Sequence, residues 1–240
     1  MKNLLLVGSA AIASVAFFAC SSGSGSGSDS VADNAKGKIV CVWDKVPLRQ
    51  KPEKDGKWMS ALNLGETMEY SEKATDASDK DRVYYKVKLS DGSEGWAPDY
   101  GLVTDALPGA ITEECKLYKR PDLLTVTSSS FNVSELVAVT QEKDGWIEVV
   151  GFHKRLKGWI QSTNISLNQI DVSFAALAQK EVFNDKDELI VSKLPEFLKN
   201  VPIQNSQLFS KLTGLSAIEP ETPENAVADS SAVGDDEEGD

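Results

Sequence analysis

The 240-residue chain contains a single histidine, His153, and three cysteines, Cys20, Cys41 and Cys115. A cysteine nucleophile with a histidine base would make a thiol hydrolase, and a cluster of thiols and imidazoles would hold a metal ion. Neither arrangement fits. His153 stands in the turn segment FHKRLK with no nucleophile motif before it, and two isolated cysteines and one histidine form no ligand set. The acidic residues lie in turns and in the tail, so paired carboxylates make no better case. These residues point away from catalysis, and no cofactor or metal is expected. What does recur in pattern is aromatic. DGWIEVVGFHKRLKGWIQ, residues 144–161, carries Trp146 and Trp159 near its ends, and RVYYKVKLSDGSEGWAPDYGLV, residues 82–103, carries Tyr84 and Trp96 in the same places. Such rings offer large contact area at low entropy cost, which is binding chemistry.

The first thirty residues deal with location. One Lys precedes an apolar run from Leu4 to Ala19, which ends at Cys20. The run is shorter than the roughly twenty residues of a membrane-spanning helix and fits a secretory signal. Ala19-Cys20 resembles the bacterial lipoprotein signal, although Phe17 stands where that family has Leu. The resemblance implies cleavage after residue 19, acylation of Cys20 and stable membrane attachment, since two or more acyl chains hold where one does not. Ser21 after the Cys implies onward transport, to an outer membrane. The Gly/Ser run through residue 36 reads as a flexible tether. Cys41 and Cys115 would then lie outside the cytoplasm, where disulfides persist. They are expected either as a bridge closing about 74 residues, contributing on the order of 4 kcal/mol, or as two buried thiols acting as small hydrophobes.

The charge of −12 is a property of the tail. Residues 219–240 hold nine acidic and no basic residues, which leaves 28 acidic against 25 basic in the rest. No basic stripe is present, so no nucleic-acid partner is expected. The tail lacks aromatics and core formers and reads as disordered, either solvated or a trap for cations or a basic partner.

Between tether and tail the chain reads as one β-rich plan written twice. KIVCVW is a strand. In RVYYKVKL, Tyr85, Val87 and Leu89 share one face, and Tyr84, Lys86 and Lys88 the other. Asp91-Gly92 turns a hairpin, and GWAPDYGLV closes the unit. In the second unit CKLYKRP answers VPLRQKP, GWIEVVG puts Ile147 and Val149 opposite Trp146 and Glu148, and GWIQSTNIS closes. The first unit is longer by the polar stretch EKATDASDKD, which reads as a surface-loop insertion of little entropic cost.

VPLRQKP with DGSEGWAPDYGLV, and KLYKRP with DGWIEVV and KGWI, resemble the opening, middle and closing motifs of bacterial SH3-type (SH3b) domains, over about 130 residues. The first unit departs in having RVYYKV for the family's GWxxV, and the second lacks a counterpart of Tyr100. The resemblance implies two small SH3-like barrels in tandem, residues 37–106 and 109–167, in a mainly β chain. It implies ligand contacts from Tyr84, Trp96, Pro98 and Tyr100 in the first unit and Trp146 and Trp159 in the second, because GWAPDY is similar to the Pro-and-Tyr segment lining the peptide groove of eukaryotic SH3 domains. The expected role is an anchored envelope protein binding peptidoglycan or a surface glycan. The alternative is a scaffold contacting another envelope protein, or an inhibitor of a secreted hydrolase. Residues 168–216 change to helical spacing, with Ile170, Phe174, Leu177 and Ala178 on one face. This extension either packs on the second unit or docks a partner.

Overall fold

The structure is a computed structural model that describes residues 30–217. The signal segment, Cys20, the Gly/Ser run to residue 29 and the acidic tail from residue 218 lie outside the described residues. The duplication read from the sequence appears as two seven-stranded antiparallel sheets of identical topology. The first contains β1 (Lys38–Cys41), β2 (Val46–Arg49), β3 (Trp58–Leu62), β4 (Thr67–Thr75), β5 (Val83–Lys88), β6 (Glu94–Pro98) and β7 (Leu102–Thr104). The second contains β8 (Leu107–Ile111), β9 (Cys115–Tyr118), β10 (Val126–Phe131), β11 (Leu136–Lys143), β12 (Trp146–Gly151), β13 (Lys157–Gln161) and β14 (Ile165–Ser166). The strand orders are β3-β2-β6-β5-β4-β1-β7 and β10-β9-β13-β12-β11-β8-β14, which is one order repeated. Neither sheet closes: among the described residues no ladder joins β3 to β7 or β10 to β14. The mainly β, duplicated architecture expected from the sequence is thus observed as two seven-stranded antiparallel sheets, with no barrel closure detected among the described residues.

Period-two alternation decides which residues each sheet buries. Leu48, Met68, Val87 and Ala97 enter the first core; Leu117, Ile147, Val149 and Ile160 enter the second. Cys41 lies in the first core and Cys115 in the second, both free, so the Cys41–Cys115 bridge is not formed: each thiol belongs to a different sheet's interior. The two Gly-Trp pairs of the second unit have different causes. Asp144 and Gly145 have φ of 50° and 81°, so they form the tight turn between β11 and β12. Gly158 is required by space instead, because a Cβ there would lie 2.6 Å from the Tyr118 carbonyl oxygen and 3.0 Å from Leu117 Cγ. Gly95 meets Leu48 in the same way at 2.7 Å. A glycine therefore precedes Trp96 and Trp159 because the β2 or β9 leucine passes beneath it.

Four helices complete the fold: α1 (Val31–Ala35), α2 (Gln169–Glu181), α3 (Leu194–Asn200) and α4 (Gln207–Ser216). Helix α1 falls where the tether was expected to run on to residue 36. Ser30 caps it, accepting the Asp33 N–H, and buried Val31 joins the second core. Helices α2–α4 bury Val172, Phe174, Phe197, Leu208 and Leu212 with Ala110 and Leu136 of the second sheet and Leu64 of the β3–β4 loop. The extension packs on the β-structure.

Candidate functional site

Strand register sets the aromatic residues in equivalent rows. Across the first sheet, Trp58 faces Arg49, Arg49 faces Trp96, Trp96 faces Lys86, and Lys86 faces Glu72. Across the second, Val126 faces Tyr118, Tyr118 faces Trp159, Trp159 faces Glu148, and Glu148 faces Gln141. Trp96 and Trp159 thus hold the same place, as do Tyr84 and Trp146, which pair with Pro98 and Gln161. Residues in register lie close on one face and interact directly. The flanking chemistry differs. Trp96 lies between Arg49 and Lys86, whereas Trp159 lies between an aromatic ring and a carboxylate.

In the first unit this outer face forms a pocket. Pro47, Arg49, Tyr84, Pro98 and Tyr100 line a cavity of about 450 Å³ together with Lys54, Asp81, Arg82 and Asp99. Tyr84, Pro98 and Tyr100, singled out in the sequence, are brought together here; Trp96 lies two residues along β6 on the same face, outside the lining. Tyr100 is 46% exposed and meets Trp43 edge-on at 5.0 Å. Tyr84, expected to stand open on the outer face, is buried. It does leave the sheet on that side, opposite the Val87 face, but it forms part of the cavity wall among the residues of the 50–57 and 76–82 loops. Asp76 ties those loops together. One carboxylate oxygen accepts the Lys54 N–H at 2.9 Å, and the other accepts the Ser78 hydroxyl at 2.6 Å and its N–H at 2.8 Å. These bonds, that of the Ser78 hydroxyl first, hold its carboxyl down at about 2.

The second unit offers an open aromatic face. Tyr118 packs edge-on against Trp146 at 4.9 Å, and Trp146 and Trp159 are both half-buried. Glu148 accepts the Thr140 hydroxyl at 2.6 Å and pairs with Lys157 at 3.4 Å. No residue matches Tyr100, since the equivalent position is Thr163.

Rings also join the pocket to the second unit. Trp43 lies 4.1 Å from His153, which stacks on Phe152 at 3.6 Å. The His153 N–H donates to the Val42 carbonyl at 3.0 Å, and Lys154 Nζ donates to the Asp99 carbonyl at 2.6 Å, beside Tyr100. Burial lowers the affinity of His153 for a proton, with Arg155 adding to the effect. The ring packs at the joint between the sheets, its Nδ1 buried without a hydrogen-bond partner. Burial likewise pushes the Cys41 thiol up to about 12 and that of Cys115 to about 11, so both stay protonated at neutral pH. The described residues contain no group of three His, Cys, Asp or Glu side chains able to hold a metal ion. Sequence reasoning missed Trp43, Trp58 and Tyr118. Aligning KLYKRP on PLRQKP residue by residue would have flagged Tyr118, because it stands where Arg49 does.

No protein-family model matches the chain, and no curated protein matches it. Solved structures similar to it include NlpC2 from Trichomonas vaginalis, with 11% identity, a TM-score of 0.25, and coverage of 68% of this chain and 55% of that one. NlpC1 from the same organism gives the same identity and TM-score, with 52% of its chain covered. The chain thus spans about half the length of either, and a likeness this weak carries no argument about fold or activity.

Proposed function

We propose that the chain is a lipid-anchored bacterial envelope protein, non-catalytic, whose tandem SH3b-like units hold a cell-wall or surface polymer. The observation that carries this reading is the register equivalence of Trp96 with Trp159 and of Tyr84 with Trp146, which puts a ring-bearing outer face on both sheets. Two weak sites on one polymer gain roughly 10²–10⁴ in avidity when both engage, which gives duplication a purpose. The pocket under Tyr100 sets Arg49, Lys54 and Arg82 with Asp81 and Asp99 around a Pro-and-Tyr wall, a lining of both charge signs that suits a polar glycan or peptide segment. Protonated, buried thiols and a packed histidine support a role without chemistry. Attachment at Cys20 places the protein in the envelope, at the outer membrane.

Sedimentation with purified peptidoglycan tests the reading. The full chain is expected to pellet with the polymer. Tyr100→Ala, which removes a half-exposed ring, should weaken binding while lowering the melting temperature only by the loss of its edge contact with Trp43, and Trp96→Ala/Trp159→Ala should abolish binding. A wild-type chain that stays in the supernatant would transfer the role to scaffolding of another envelope protein.

A further inference from the structure

The loop between β9 and β10 exposes large apolar side chains. Leu123, Leu124 and Val126 are 61%, 92% and 53% exposed. The equivalent loop of the first unit, residues 50–57, reads QKPEKDGK and carries no leucine, although Trp58, the counterpart of Val126, is exposed. The duplication thus supplies an internal control: the fold does not require leucines at this position. Beside them Lys119 and Arg120 are exposed, and Asp122 is the one acidic residue between 115 and 131. The Asp122 carboxylate is already engaged, accepting the Leu124 N–H at 2.9 Å.

The loop is also built to leave water. Lys119 N–H donates to the Thr125 carbonyl, Arg120 N–H to the Thr125 hydroxyl, Asp122 N–H to the Arg120 carbonyl, and Thr125 N–H to the Asp122 carbonyl. Pro121 has no N–H to satisfy. With most of its donors paired internally, and the Leu123 N–H outside this network, the loop enters an apolar boundary at a reduced cost of stripping amides of water.

We infer that this loop is a membrane-contact tip. Leu123, Leu124 and Val126 sink into the acyl boundary of an anionic phospholipid surface, while Lys119 and Arg120 meet its headgroups. The occupant follows from this pairing of an apolar tip with a basic collar, and from the chain that precedes the folded part. This inference rests on the reading of Cys20 as the lipidated residue. Ser30 lies ten residues beyond Cys20, a reach of at most about 36 Å. Val31 shares the second core with Cys115 and Phe131, the register pair at the other end of the β9–β10 hairpin from the tip. A six-residue strand such as β10 is about 20 Å long, a distance the tether covers. Anchor and tip can therefore meet one surface, and tethering lets a weak contact suffice. The sheet would then lie against the membrane in a fixed orientation, where a tether alone would leave it free to tumble.

Hydrogen exchange on the full lipidated chain tests this, comparing vesicles of phosphatidylglycerol and phosphatidylcholine with vesicles of phosphatidylcholine alone. Amides of residues 119–126 should exchange more slowly on the anionic vesicles, while those of residues 50–57 should not change. Leu123→Ser/Leu124→Ser should lose the protection, since each leucine returned to water weakens the contact roughly tenfold or more. Lys119→Glu/Arg120→Glu should lose the difference between the two lipids, as should about 1 M salt, where the Debye length falls to about 3 Å. Unchanged exchange at 119–126, in a sample whose N-terminal peptide mass shows the lipid on Cys20, overturns the tip. If that mass shows no lipid, the anchor reading fails separately and flotation with the anionic vesicles decides the tip. Flotation that is lost in the double Ser variant supports it, and flotation that persists in that variant, or no flotation of the wild-type chain, overturns it.

Discussion

Position within the fold changes Glu135 more than its side-chain type would suggest. It lies in the turn before β11, 3% exposed, and one oxygen accepts the Asn132 N–H at 2.6 Å and the Asn132 side-chain amide at 2.8 Å. Burial pushes its carboxyl from the ordinary 4.5 up to about 7, against the pull of those bonds and with help from Asp187. The folded chain then holds the proton more tightly than the unfolded chain does. The ionised form therefore destabilises the fold progressively as pH rises from about 4.5 through about 7, and below that window the effect is absent. A shift of that size corresponds to about 3 kcal/mol. Glu135→Gln keeps the acceptor for Asn132 and removes the charge. In urea denaturation at pH 5 and pH 8, the variant should lose up to about 3 kcal/mol less stability over the interval than the wild-type chain. Parallel losses would refute the assignment. Tyr84 teaches the same lesson, because alternation gives the side of the strand a ring leaves from but not the loops that fold over it.

At the scale of elements, the helices are where sequence patterning left two outcomes open. A stripe of Phe174, Leu177 and Ala178 suits docking to a partner as well as to the chain itself. The structure puts Phe174 at 5.5 Å from Phe197 and 6.4 Å from Phe209, over Ala110 and Leu136. Buried Asp171 locks the arrangement. It accepts the Ser166 and Ser206 hydroxyls at 2.6 and 2.7 Å and the Gln207 side chain at 2.6 Å, which ties α2 to β14 and to the start of α4. Ending the chain at Leu167 would uncover Leu64, Ala110, Val133 and Leu136. Such a truncation should emerge as aggregate in size-exclusion chromatography, whereas a soluble, folded β fragment would show that the helices are dispensable. The signal for α1 was present in the sequence as Ser30 with Asp33 three residues on, a capping pattern hidden at the end of a Ser/Gly-rich run.

The two sheets do not behave as beads on a string. Val40, Val42, Ala106, Ala138 and Val150 form a shared cluster between them, and α1, from the start of the folded chain, packs on the second sheet. An ion pair between Asp44 and Lys180 at 3.0 Å and the Trp43–His153 contact join the first sheet to the helices and the second sheet. Because neither unit keeps its apolar surface covered alone, the chain should unfold in one calorimetric transition with equal calorimetric and van't Hoff enthalpies. Two resolved transitions would show the units to be independent. This shared packing also holds the Asp99–Tyr100 turn of the pocket against Lys154, so the first site depends on the second unit for its shape.

The sequence by itself determined the duplication, the core faces of the hairpins, the turn at Asp91-Gly92 and the switch from strands to helices near residue 168. These features are local: a period of two or 3.6, a glycine with positive φ or a capping residue acts within a few positions of itself. Tertiary structure alone decided that the sheets stay open, that Cys41 and Cys115 enter separate cores, that Tyr84 is buried in a pocket wall, and that Trp43 meets His153. Each of those outcomes depends on residues far apart in the chain arriving at one place, and nothing in the pattern around either partner encodes where the other will be.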